Sequence, residues 1–450
     1  MKAAAAVLPT LPIVICRLLP TASSFVTPEA RRSVDCPSSR RGRRRSLSSG
    51  AASSADSRSH PRHDDDDDRD RDHDDGRRPW AARALLFSSF DDGVSSNVAA
   101  RSFLRRSLAE ALLRERAIAI EDDVRSSAAF SPCNGPSPHA IDDLERVDGL
   151  LLRDDRRRGG RGVVADRPDD GMADSWTTEA LRLLLLSRGC GDPPGRGTTT
   201  TAALRVLYVP TAMYALDPRS SNSPGRQRQR ARADGRKRRD KLLDLLEGLM
   251  TIDDDDDDDD DDRHRRRIGV LSTTLDLDDG SLKQPVGSND ASDFPLDGFA
   301  ALTTWRPHLL YVEGGNTFWL RHCMEKGGYV DAIRDACAGP GGFAVYCGKS
   351  AGAIVAGRDV STATWKGWDD PSVVPGMGTY GDWSDCPGLD LVGGSSFFPH
   401  MSDDWLDTVN ERMTTTTERR RDDSGNGGLE EASVGRDREE GRHLLALGER

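Results

Sequence analysis

The chain has 450 residues, a formal net charge of −12, and 36% apolar against 31% charged residues. Its length would suit about two or three domains, but the low apolar fraction and long Asp and Arg runs predict one folded core and much solvated chain. The negative charge argues against nucleic acid as a partner. The eight cysteines include no Cys-x-x-Cys pair and no metal-ligand spacing, so we expect reduced thiols and no metal site.

The first 55 residues have the composition of a targeting segment. A lysine and a proline-interrupted apolar run come first, and an Arg- and Ser-rich, acid-poor stretch follows at 31–54. The apolar run is too short to span a membrane. Ala-Ser-Ser-Phe at 22–25 resembles the junction of the two-part presequences of algae with secondary plastids. We therefore predict a plastid location, with secretion or the cytoplasm as alternatives, and no membrane association of the mature chain.

Residues 56–177 are predicted to be a low-complexity extension that is largely disordered. Asp, Arg and His alternate over residues 58–78, and such runs cannot bury enough apolar surface to offset the entropy lost on ordering. The exception is Ala99–Ile120, where leucines recur at helical spacing and predict a helix.

The folded domain is expected over residues 178–450, as an open, doubly wound and mostly parallel α/β sheet. Short, continuous apolar runs flanked by Gly and Pro indicate strands that are buried on both faces. The runs are 181–186, 204–209, 268–271, 309–312 and 343–347, with helical segments at 237–250, 317–325 and 329–338. Polar insertions at 217–236 and 253–267 are predicted to be surface loops.

The fifth run leads into Gly348-Lys349-Ser350-Ala351-Gly352, a Gly-x-Ser-x-Gly sequence between a strand and a helix. In a nucleophile elbow, a tight turn projects the serine hydroxyl from the backbone, and the flanking glycines avoid clashes of Cβ atoms. The helix that follows offers N–H groups to a developing oxyanion. The alternative is a glycine-rich turn in which Ser350 only caps the helix.

A second glycine-rich turn follows the fourth run. It contains Gly315 and Asn316 and would place backbone N–H groups at the carboxyl edge of the sheet. Gly315 is predicted to donate one oxyanion N–H and Ala351 the other. The alternatives are an anion-binding loop, or a turn in which Asn316 caps the next helix. His400 ends a later apolar run and is either structural or a general base.

Three motifs occur in order: Gly-Gly-Asn-Thr-Phe, Gly-x-Ser-Ala-Gly-Ala and Phe-x-Pro-His. Together they resemble the dipeptidase E (aspartyl dipeptidase) family, over about residues 181–450. Those proteins are serine peptidases with a class I glutamine amidotransferase-like, flavodoxin-type three-layer fold, and they are related to cyanophycinases. The resemblance implies hydrolysis of dipeptides or small acidic peptides through an acyl-enzyme, with no cofactor. A small peptide is the expected partner, and a homodimer is left open.

The resemblance also implies roles for individual residues. The nucleophile would be Ser350 and the base His400, while the acid would be Glu449 in a Leu-Gly-Glu segment. At Arg450 the sequence departs from the family, which has a glycine there. The other implied residues are the oxyanion donors Gly315 and Ala351 and the substrate contacts Asn316 and Arg412.

Two other functions stay open on the sequence. One is a catalytically impaired homologue that acts as a binding protein, because Glu449 would have to be held beside His400 to complete the triad. The other is an esterase of the α/β-hydrolase type, whose order of serine, acid and histidine would be Ser350, Asp390 and His443. A glutamine amidotransferase is disfavoured because the elbow carries serine and not cysteine.

Overall fold

The computed structural model describes residues 83–90, 94–130, 138–159, 170–186, 203–252, 266–283, 294–339, 341–414 and 444–448. All of these belong to one compact unit. The predicted targeting segment at 1–55, most of the insertion at 253–267, and Glu449 lie outside the described residues. None of the helices within the described ranges is both long and apolar enough to cross a bilayer.

Helices and strands alternate along most of the described chain. The strands are β1 (Arg83–Phe87), β2 (Ala203–Val209), β3 (Thr251–Ile252), β4 (Arg266–Arg267), β5 (Gly269–Asp276), β6 (Ser281–Lys283), β7 (Leu309–Val312), β8 (Val345–Lys349), β9 (Ser396–Met401) and β10 (Leu444–Gly448). The helices are α1 (Val98–Phe130), α2 (Pro138–Gly159), α3 (Asp170–Leu186), α4 (Pro224–Leu249), α5 (Gly298–Thr303), α6 (Thr317–Lys326), α7 (Tyr329–Ala338), α8 (Ala351–Ala356) and α9 (406–414).

Six strands form the central sheet, in the spatial order β1-β8-β7-β2-β5-β6. The first five are parallel, and β6 is antiparallel to β5. Side chains alternate between the faces with the period of two that a strand imposes. Leu86 and Leu207 belong to the core with α5–α8, whereas Leu85 and Val206 belong to the core with α1–α4. Helices cover both faces, which confirms the predicted doubly wound α/β sheet.

Two short sheets lie beside the central one. β9 and β10 pair in parallel, and β3 and β4 pair antiparallel at the two ends of the Asp-rich insertion. His400, the predicted base, is one of the last residues of β9.

The domain begins earlier in the chain than the sequence predicts. All five residues of β1 pair with β8, and α1 packs in the same core as the sheet. The described part of 56–177 is therefore not a disordered extension. A high content of charged residues does not prevent folding here, because some of them pair within the fold. Arg83 and Arg114 both donate to the buried carboxylate of Glu110.

The run 181–186, predicted to be a strand, is instead the end of helix α3. Trp176, Ala180, Leu181 and Leu184 are buried at helical spacing. Leucine is a strong helix former and is not β-branched, so a continuous leucine run is equally compatible with a buried helix. The other four predicted strands correspond to β2, β5, β7 and β8.

The insertion at 217–236 is mostly helical, although it was predicted to be a loop. α4 begins at Pro224, in the first turn where proline is favoured. Its arginine-rich first half is largely exposed, and Gly235 is the first of its residues that is buried. Arginine has a high helix propensity, so a polar sequence here gives an exposed helix.

A buried histidine joins α1 to the amino edge of the sheet. His308 Nδ1 accepts a hydrogen bond from the Arg205 backbone N–H (3.0 Å), and Nε2 lies 2.8 Å from Glu115 Oε2. Burial lowers the pKa of His308, while the hydrogen bond with Glu115 acts to raise it. Burial alone would raise the pKa of Glu115, but the hydrogen bonds and charges of His308 and Arg205 lower it to about 2.

This network predicts a specific loss of stability in acid. A carboxylate whose pKa is lowered by folding stabilises the folded state fully above its ordinary pKa of 4.5, and the stabilisation is lost as the pH falls toward about 2. Glu115→Gln should remove about 2 kcal/mol of this pH-dependent stability. The value is smaller than the full pKa shift would give, because water partly screens the carboxylate. Urea unfolding at a series of pH values from about 5 to 2.5 measures it.

Glu247→Gln is the matched control, because this carboxylate forms an exposed ion pair with Arg267 (3.4 Å). The control should keep the wild-type dependence of unfolding free energy on pH. Parallel curves for wild type and Glu115→Gln would show that the network does not stabilise the fold in this way.

Candidate active site

Ser350 lies in a strained turn between β8 and α8. Its φ is 46° and its ψ is −104°, a conformation that residues with a side chain rarely adopt. A Cβ on Gly352 would lie 2.3 Å from the Val312 carbonyl oxygen, and one on Gly348 would lie 2.6 Å from the Gly352 carbonyl oxygen. Only glycines allow the chain to turn so closely here, so the turn has the geometry of a nucleophile elbow.

His400 approaches Ser350 from the end of β9. Its Nε2 atom lies 3.0 Å from Ser350 Oγ, a distance at which an imidazole can accept the hydroxyl proton. His400 also has a positive φ, 56°. The structure therefore brings together the two residues that the sequence predicts as nucleophile and base.

The end of β1 supports both of these residues. The Ser350 N–H donates to the Phe87 carbonyl oxygen (2.9 Å), which continues the pairing of β1 with β8. The His400 N–H donates to Ser88 Oγ (2.8 Å). Ser88 is not among the residues predicted from sequence, because its segment is predicted to be part of the extension. The apolar run 84–87 is nevertheless a signal for a buried strand.

The two predicted oxyanion donors lie at turns beside the nucleophile. Ala351 is the first residue of α8, where an N–H has no acceptor within the helix. Gly315 has a φ of 151°, and a Cβ there would lie 2.3 Å from the Ala212 carbonyl oxygen. A Cβ on Gly314 would lie 3.0 Å from Ser350 Cβ. The Gly-Gly loop is thus in contact with the elbow.

Glu313 ties this loop to the nucleophile strand. Its side chain is 2% exposed and accepts hydrogen bonds from Tyr208 Oη (3.1 Å), Arg238 Nη1 (3.2 Å) and the Gly314 N–H (3.2 Å). Lys349 Nζ, next to Ser350 in the chain, lies 3.3 Å away. A buried carboxylate with several donors and two cations is well compensated, so the two turns are held at a fixed separation.

The predicted substrate contacts are placed as follows. Asn316 caps α6: its Oδ1 accepts from the Trp319 N–H (2.9 Å), and its Nδ2 donates to the Asp370 carbonyl oxygen (3.0 Å). Both ends of its amide thus have protein partners, as in the capping alternative. Arg412 is an exposed residue of α9. Contact of either residue with substrate stays a prediction.

Asp369 is a further carboxylate near His400 and is not among the residues predicted from sequence. Its Oδ2 accepts a hydrogen bond from the Thr317 N–H at the start of α6 (2.8 Å). Burial raises the pKa of Asp369, while the Thr317 hydrogen bond and the nearby His400 act to lower it. The only sequence signal was an Asp between the predicted nucleophile and base, in a segment without strand or helix periodicity.

Among the described residues, one cluster could hold a metal ion: Asp276, Asp278 and Asp279, at the end of β5. Asp276 already forms an ion pair with Lys283, and Arg232 Nη2 lies 3.6 Å from its Oδ2. Since the protein itself supplies cations to these carboxylates, we assign no metal to them.

The geometry argues against the esterase order of residues. Asp390 is exposed, and its Oδ1 accepts a hydrogen bond from the Gly394 N–H (2.8 Å) in a local turn. His443 lies outside the described residues. The histidine beside Ser350 is His400, as the dipeptidase E resemblance implies.

A comparison with known protein families agrees with this resemblance. Residues 302–439 match peptidase family S51, and no curated protein matches the chain significantly. Solved structures that match include a "Putative Peptidase E Protein" from Listeria monocytogenes EGD-e, at 19% identity over 47% of this chain and 74% of that chain, with a TM-score of 0.25. The family match includes the Gly-Gly loop, the elbow, Asp369 and His400. Residues 302–439, which contain all three motifs, are thus similar to peptidase family S51, in agreement with the resemblance to dipeptidase E.

Proposed function

We propose that the chain hydrolyses dipeptides or small acidic peptides, with Ser350 as the nucleophile. The observation that carries this proposal is the 3.0 Å contact of His400 Nε2 with Ser350 Oγ in a strained strand-to-helix turn. The preference for an acidic N-terminal residue comes from the family resemblance, and Arg412 is its candidate contact.

The reaction follows from this geometry. His400 takes the Ser350 proton as Oγ attacks the peptide carbonyl carbon, and the N–H groups of Gly315 and Ala351 bind the resulting oxyanion. When the tetrahedral intermediate collapses, His400 gives its proton to the leaving amine. Water, deprotonated by His400, then attacks the acyl-enzyme and releases the acid product and the free serine.

A carboxylate must hold the imidazole in the correct tautomer during these steps. The family resemblance implies Glu449, whereas Asp369 is half-buried and lies close enough to His400 for the imidazole to influence its pKa. The family S51 match contains Asp369 and ends before Glu449. We therefore assign the role of the acid to Asp369.

The first experiment assays the full chain against Asp-Xaa, Glu-Xaa and neutral dipeptides. We expect turnover of the acidic members, and a loss of at least about 10⁴-fold in kcat in Ser350→Ala because the covalent step is removed. Ser384→Ala is the control, since this exposed serine lies in a separate turn. Wild-type protein that is folded but turns over no dipeptide would contradict the proposal and favour the impaired, binding-only homologue.

A second comparison identifies the acid. Asp369→Asn should lower kcat by about 10²- to 10⁴-fold with a smaller effect on KM, because the wrong imidazole tautomer is then favoured. Glu449→Gln should stay close to wild type, and circular dichroism confirms that both variants fold. The reverse result would return the acid role to Glu449.

A further inference from the structure

We propose that Lys366 is a positioning residue that holds His400 in the conformation required of the base. The inference rests on the proposed function of His400, but its evidence is a separate group of contacts. Lys366 lies in the segment between α8 and β9, three residues before Asp369.

The ammonium group of Lys366 binds the two backbone carbonyl groups on either side of His400 Cα. Nζ donates to the Pro399 carbonyl oxygen (2.6 Å) and also to the His400 carbonyl oxygen. A single cation thus joins two consecutive carbonyl groups. Since both bonds are charge-assisted, they are stronger than ordinary backbone hydrogen bonds.

Three aromatic rings surround the same ammonium group. Nζ lies 4.3 Å from the ring centroid of Trp368, 4.4 Å from that of Phe398 and 5.1 Å from that of Trp405. The faces of aromatic rings attract cations at these distances. The rings therefore fix the ammonium in place, and Trp368 also contacts the His400 ring, with centroids 5.7 Å apart.

His400 needs such support because its backbone is strained. A residue other than glycine with a φ of 56° persists only when its surroundings hold it there. Ser88 binds the His400 N–H (2.8 Å), and Lys366 binds its carbonyl oxygen. With both of its backbone polar groups bound, His400 keeps the orientation that places Nε2 against Ser350 Oγ.

The test compares Lys366→Met, Lys366→Arg and the control Lys326→Met, an exposed lysine in the last turn of α6. Methionine keeps the apolar stem but removes the donor and the charge, so kcat should fall about 10- to 100-fold, as expected for a misplaced base. KM should change less than about twofold, because no substrate contact is lost. Arginine should restore most of kcat, and the control should match wild type.

A second measurement does not depend on activity. Hydrogen exchange at the His400 amide, which is bound to Ser88, should be at least about tenfold faster in Lys366→Met, and close to wild type in Lys366→Arg and Lys326→Met. Protection equal to wild type in Lys366→Met would overturn the inference even if no substrate had been found. An unchanged kcat in an active enzyme, or a rise in KM alone, would also overturn it, and the latter would make Lys366 a substrate contact. Failure of the proposed function itself would appear separately, as inactivity of the wild type.

Discussion

The 3.0 Å contact between Ser350 Oγ and His400 Nε2 depends on two residues that both have a positive φ. Ser350 directly follows β8 of the central sheet, whereas His400 lies in β9 of a separate short sheet. Such strain persists only when neighbouring groups compensate for it. At Ser350 the compensation comes from close-fitting glycines and a hydrogen bond to Phe87. At His400 it comes from Ser88, and we propose that Lys366 adds to it. The Ser350–His400 contact is therefore supported by groups outside the proposed catalytic pair.

The parallel sheet explains why these groups meet. The carboxyl ends of parallel strands lie at one edge, and ligand sites of open α/β sheets form there. β7 and β8 are neighbours, so the Gly-Gly loop and the elbow that follow them are adjacent. Glu313 reinforces this by binding Gly314 on one side and lying 3.3 Å from Lys349 on the other. The predicted oxyanion donors and Ser350 thus have one common support.

The elements that were predictable from sequence are those with local signals. β2, β5, β7 and β8 are continuous apolar runs, and the elbow and the Gly-Gly loop are short motifs. β1 and Ser88 were missed because their role depends on pairing across the chain: Ser88 and His400 are 312 residues apart in sequence. Asp369 was missed because it lies in a loop without periodicity. The leucine run of α3 was misassigned because burial alone does not distinguish a strand from a helix.

The most direct test of the central claim is covalent labelling of the full chain with a fluorophosphonate, followed by peptide mass spectrometry. We predict an adduct on Ser350, because His400 Nε2 lies 3.0 Å from its hydroxyl oxygen and can accept the proton. Labelling should be lost in folded His400→Ala and kept in His322→Ala, a histidine of α6 whose ring contacts Trp319. Absence of an adduct on wild-type Ser350, or equally fast labelling in His400→Ala, would contradict the account.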